Sequence, residues 1–99
     1  MIAKLYRQGD VLFRKVERVS DGAKLSEDKI LVRGETTGHA HRASKQLQVF
    51  RDQQTQQMFV SGQGQILHEE HGTLDLDQGT YEVLRQREYN PQANRLVQD

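Results

Sequence analysis

The stretch TLDLDQGTYEVLRQREY, residues 73–89, carries the strongest statement about fold. Apolar and polar residues alternate along TLDL, and a run rich in β-formers follows in TYEVLRQREY. Such a period of two marks strands with one buried face. Asp77-Gln78-Gly79 between them has turn chemistry, so the segment reads as a hairpin of two strands.

The same grammar extends toward the N-terminus. QILHEE, QMFVSG, QLQVFRD, HAHRAS and KILVRGE read as further short strands, enriched in aliphatic and β-branched residues. Gly62-Gln63-Gly64 separates two of them and reads as a bulge or turn. DQQTQQ is a polar hairpin loop that sets Phe50 and Phe59 on neighbouring strands. In DVLFRKVERV, Leu12, Arg14, Val16 and Arg18 share one face, and Val11 and Phe13 the other. Ser20-Asp21-Gly22 is a turn, and AKLSEDK a loop or at most one helical turn. After the last strand, Asn90 offers an N-cap and Pro91 a first helical position. Ala93, Leu96 and Val97 form a small apolar face there, which predicts a short C-terminal helix. The expectation is one all-β domain over residues 1–99, a small barrel or sandwich of seven or eight antiparallel strands.

Composition narrows the classes of function. Hydrophobic residues are 34% of the 99, and with the 8 glycines still fall short of the usual 45–50% or so. A thin core of this kind commonly gains support from a metal, a disulfide or a partner subunit. With no cysteine, disulfides and thiolate sites are excluded, leaving imidazole ligands or a homo-oligomer. The 14 basic and 14 acidic residues balance, which argues against nucleic-acid binding driven by counterion release and against a polybasic membrane surface. No apolar run reaches the roughly 18 residues of a membrane span, and MIAKLYRQGD is too polar for a signal peptide. A cytoplasmic protein is the expectation.

All 4 histidines fall into two tight pairs: His39 and His41 in GHAHR, His68 and His71 in HEEHG. On a strand, His39 and His41 point to the same face. His68 and His71 converge only if the chain turns between them, and Gly72 favours that. Together the pairs would make a nitrogen-rich site for zinc, or for manganese, iron or nickel, with Glu69 or Glu70 as a further oxygen ligand or as a catalytic base. A metal-free acid–base pocket and a purely structural role for the imidazoles stand beside that reading. The HEEH spacing is not that of the zinc proteases.

Arg42, Arg85 and Arg87 are the candidate anion binders. Arg85 and Arg87 share a strand face, where two guanidinium groups can grip a carboxylate or phosphate. Cross-strand pairing with acidic neighbours is the plainer alternative. Tyr81 and Tyr89 bracket that strand, either closing the core or offering a ligand a ring to stack on. No phosphate loop, dinucleotide fingerprint or G-x-S-x-G elbow is present.

RQGDVL, GETTGHAHR, LHEEHG and the run from LDLDQG to REYNP occur in an order that resembles a family of small, functionally uncharacterised bacterial and phage proteins. The resemblance implies that the histidine pairs and the RQREY strand belong to one module. The Gly34 and His39-Ala40-His41 pattern also resembles the first motif of cupins, β-barrels that bind a divalent metal. Ser44, Lys45 and Gln46 occupy the region where a cupin carries its glutamate. The leading expectation is therefore a small metal-binding barrel, possessing or lacking turnover of a small anionic ligand. A non-catalytic assembly module and a ligand sensor or scavenger are the competing readings.

Overall fold

The structure, a computed structural model, describes residues 4–34 and 38–86. The expected C-terminal helix, Arg87 and Tyr89 lie outside those residues. The chain is all-β, as its periodicity predicts. Eight strands run β1 (Leu5–Gln8), β2 (Val11–Val16), β3 (Lys24–Ser26), β4 (Ile30–Arg33), β5 (Ala40–Ala43), β6 (Gln48–Arg51), β7 (Met58–Leu67) and β8 (Leu74–Arg85). They form one antiparallel sheet in the order β1-β2-β8-β7-β5-β4, curled into a half-barrel. β6 pairs with the first part of β7, and β3 pairs with β6.

Two local readings are corrected, and one strand is added. AKLSEDK contributes the short strand β3, because Lys24–Ser26 finds a partner in Val49–Arg51. LYRQ, which carries little apolar signal, becomes β1 by pairing with β2. The expected hairpin at Asp77-Gln78-Gly79 is absent, since β8 runs unbroken through it; of the two readings of Gly62-Gln63-Gly64, the bulge holds and the turn does not, since β7 continues through a register shift there.

The reason lies in side-chain parity. Gly62 faces Gly79 and Gly64 faces Leu76, so Gln63 stands against both Asp77 and Gln78. This is a β-bulge with its extra residue on β8. Leu74 and Leu76 reach the core from even positions, Tyr81 and Val83 from odd ones. Without the extra residue, one of these pairs would face outward. The bulge is tied down by its neighbours. The Tyr81 hydroxyl donates to the Asp77 carbonyl at 2.8 Å, and Lys4 and the Tyr6 hydroxyl donate to the Asp77 carboxylate.

The core lies on the concave face, where Val11, Phe13, Leu47, Val49, Val60, Ile66, Leu76 and Tyr81 are buried. Tyr6 packs edge-on against Tyr81. The 44–47 turn lies over β7, where a Cβ at Gly64 would come within 2.7 Å of Ser44 Oγ and 2.9 Å of Leu47 Cγ. On the other face Arg14 pairs with Glu82 across β2 and β8. The buried Asp52 closes the β6–β7 hairpin by accepting bonds from the Ser20 hydroxyl and the Gln54 and Thr55 amides. The Ser20 hydroxyl, followed by the Thr55 amide, holds the Asp52 carboxyl below its ordinary value of 3.8.

Two tests follow from this architecture. Leu47→Ala empties a fully buried site and should cost about 2–5 kcal/mol in urea unfolding with little change in m-value. Because folding lowers the Asp52 pKa, its contribution is complete above the unfolded value near 3.8 and drains away as pH falls below it. Melting temperature should therefore drop on acidification, and Asp52→Asn should show a shallower drop over that window.

Candidate functional site: a histidine cluster at the barrel mouth

The site begins with one row of side chains across the sheet. Gln8 on β1 faces Val11 on β2, and Val11 faces Arg85 on β8. Directly opposed residues share a face, so all three belong to the concave side. On the far wall His41 alternates with the core residue Ala43 and points to the same side.

After β7 ends at Leu67 the chain turns through residues 68–71. His68 caps this turn itself, its Nδ1 accepting the amides of Glu70 and His71 at 3.0 and 3.1 Å. Glu69 ties the turn to β5. Its carboxylate accepts the Ala40 amide at 3.0 Å and pairs with Arg42 at 2.6 Å. The Ala40 amide, followed by the Arg42 guanidinium, pulls the Glu69 pKa down to about 2. Gln8 holds both ends of the turn, donating to the carbonyls of Ile66 at 2.9 Å and Gly72 at 2.8 Å. His71 lies on the backbone of Gly9, whose φ is +61° and where a Cβ would fall 2.6 Å from the imidazole Nε2.

These ties bring the two histidine pairs together. His68 is central, its ring centre 4.4 Å from that of His41, 4.5 Å from His71 and 5.8 Å from His39. His41 and His71 are nearly parallel at 5.8 Å. His39 Nδ1 lies 3.6 Å from a Glu70 carboxylate oxygen. Four imidazoles separated by nearly thirty residues of chain thus form one contiguous patch.

The proton positions follow from hydrogen-bond logic. The carbonyls of Ile66 and Gly72 can only accept, so the Gln8 amide NH2 must face them. Its Oε1 then faces His41 Nδ1 at 2.7 Å, which must carry a hydrogen and donate it. His41 is left with a free lone pair on Nε2. Burial, reinforced by the neighbouring His68, pushes the His41 pKa down to about 4, so it is neutral at physiological pH. Asp10 works against that shift, while His71 and Arg85 add to it. His68 is the reverse case: its Nδ1 accepts two amides, which assigns the hydrogen to Nε2.

The structure therefore gathers His39, His41, His68 and His71, with Glu69, Glu70 and Arg42 in the surrounding framework. Arg85 is close enough to act on His41. Tyr81 is elsewhere, fully buried in the core, where burial raises its pKa to about 12. Among the described residues, no three His, Asp or Glu side chains are already arranged as a metal-holding group. Sequence reasoning missed Gln8 and Gly9 as parts of the site. Their only signal is the RQGD run, whose turn character hides a buried amide.

A family model described as a domain of unknown function (DUF8820) matches residues 7–86. The chain belongs to this family. The matched stretch of the DUF8820 domain spans Gln8, all four histidines and Arg85. No curated protein and no solved structure matches the chain. No helix among the described residues is long and apolar enough to cross a membrane.

Replacing Gln8 by leucine strands the buried Ile66 carbonyl and His41 Nδ1 at once and releases the Gly72 carbonyl. An unmet buried polar group costs about 1–3 kcal/mol, so Gln8→Leu should be among the most destabilising single changes at the mouth. Nitrogen NMR of the imidazoles should show His41 in the Nδ1–H form in the native domain and a mixture of tautomers in Gln8→Leu.

Proposed function

We propose that this domain binds one divalent transition metal ion through its histidine cluster, with His41 as the anchoring ligand. The observation that carries this reading is the contact of four imidazoles around His68. Nitrogens about 2.0–2.1 Å from a tetrahedral zinc place their ring centres about 5 Å apart, within the range found here. His41 has what a ligand requires: a lone pair on Nε2 and a partner on Nδ1 that fixes the ring. The neutral donor set suits zinc, and equally manganese, iron or nickel.

The other rings must adjust. His68 would exchange its two turn amides for the ion if it coordinates through Nδ1, while His71 and His39 reach the centre by side-chain rotation. Glu69 is committed to Ala40 and Arg42, and its low pKa makes it a weak base. Glu70, largely exposed beside His39, is the freer carboxylate for any chemistry at a bound ion.

A second reading has its own observation. His41 and His68 each already make hydrogen bonds that hold the mouth together, as they would in a non-catalytic binding or assembly module. That module would be a homo-oligomer built on exposed sheet edges such as β3, where Leu25 is 61% exposed.

Titration of tag-free, chelator-stripped protein with zinc or cobalt separates the two. The metal reading expects one equivalent per chain, a rise in melting temperature on binding, and affinity at least tenfold weaker in His41→Ala. Equal binding by the native domain and His41→Ala would sink it, as would no binding at micromolar metal.

A further inference from the structure

Beside the histidine patch, the open side of the half-barrel holds a groove of about 440 Å3. This lies within the range of small-molecule sites, roughly 300–1,000 Å3. Its apolar walls are Ile30 and Val32 of β4, Met58 of β7 and Val83 of β8. Val32 stands directly opposite His41 in the β4–β5 ladder, so groove and patch adjoin.

The charge in this groove is one-sided. Three arginines line it, Arg33, Arg51 and Arg85, against the single carboxylate of Asp28. Arg51 bonds only to neutral acceptors among the described residues: the Ser26 hydroxyl, the Met58 sulfur and the carbonyls of Asp28 and Ile30. Its guanidinium thus staples β6 to β4 and keeps its charge uncompensated. Arg85 is three-quarters buried, its Nε is sealed from solvent with no hydrogen-bond partner, and its nearest carboxylate, Asp10, lies 3.8 Å away. A buried guanidinium donor left without an acceptor is costly and calls for an explanation. Across a chain of zero net charge, this local excess is a property of the groove.

We infer that the groove takes a small organic monocarboxylate, its carboxylate on the Arg85 guanidinium and its apolar body along Ile30, Val32, Met58 and Val83. A planar fork of N–H donors matches a carboxylate in geometry and charge. An inorganic oxyanion would leave the apolar walls wet, and a neutral hydrocarbon would leave the exposed part of the Arg85 guanidinium facing only the distant Asp10. The site deepens the proposed function by supplying a ligand class next to the histidines, but its occupancy does not require an ion.

The probe is hexanoate, titrated into nitrogen-15-labelled native domain in the presence of chelator, with 1-hexanol as the uncharged match. Hexanoate should bind saturably with a Kd on the order of 1–10 mM, as suits about eight heavy atoms. The shifts should cluster on Ile30, Val32, Met58, Val83 and Arg85. Hexanol and the Arg85→Gln variant should each bind at least tenfold more weakly. Because Arg85→Gln can disturb the fold, nuclear Overhauser contacts in the native domain serve as a second readout. The hexanoate methylene beside the carboxylate should contact Arg85, and its methyl end Val83 or Met58. Equal binding of hexanol overturns the proposal, as do contacts elsewhere or no saturation by about 50 mM. Preferential binding of an N-acetylated tetrapeptide ending in a free leucine carboxylate would replace it with a peptide C-terminus. Since chelator is present throughout, a failure here leaves zinc binding standing, and a failure of zinc binding leaves this result untouched.

Discussion

One buried amide holds the mouth of this barrel together. Gln8 belongs to the first strand, yet its two donors end on Ile66 and Gly72 and its oxygen on His41. Carboxamide chemistry makes the arrangement directional: only nitrogen can serve the two carbonyls, so only oxygen remains for the imidazole. A sheet that is merely curled thereby acquires a cross-link between its first strand and the turn after its seventh. The same bond decides which nitrogen of His41 is available. Architecture and chemistry share a single group, which is why a polar side chain occupies a position only 3% exposed.

The turn that carries His68 and His71 is over-determined in the same manner. It is clamped at both ends by Gln8, pinned in the middle by Glu69 on Ala40 and Arg42, and capped internally by His68. Loops usually hold few such ties, and their side chains wander accordingly. Here the loop is braced enough to hold rings in contact, and Gly9 leaves the room that His71 occupies. Preorganisation of this kind lowers the entropic cost of binding. The groove beside it, with apolar walls and three arginines against one carboxylate, places a second kind of recognition within one strand spacing of the first.

Strand identity was legible in the chain because burial on one face imposes a period of two. Val11 and Phe13, Val49, and Tyr81 and Val83 all face the core in the phase their spacing predicts. The error at Asp77-Gln78-Gly79 is instructive. The same three residues serve a tight turn or a bulge, and local chemistry does not distinguish them. What distinguishes them is the demand that Leu74 and Leu76 share a core with Tyr81 across an odd separation, a demand visible only once β7 lies alongside. β1 escaped notice for a related reason: LYRQ gains its strand character from the ladder with β2 and from Gln8, whose partners lie 33, 58 and 64 positions away.

By itself the sequence determined the all-β class, the absence of thiolate chemistry and the two histidine pairs, since each depends on composition or on neighbours within a few residues. Tertiary structure alone decided that the pairs meet, that His41 presents Nε2 while His68 spends Nδ1 on its own turn, and that Arg85 Nε ends buried without an acceptor. The physical reason is range. Backbone alternation and turn preference act over two to four residues, whereas proton placement and desolvation depend on whatever the folded chain brings within about 3 Å of an atom.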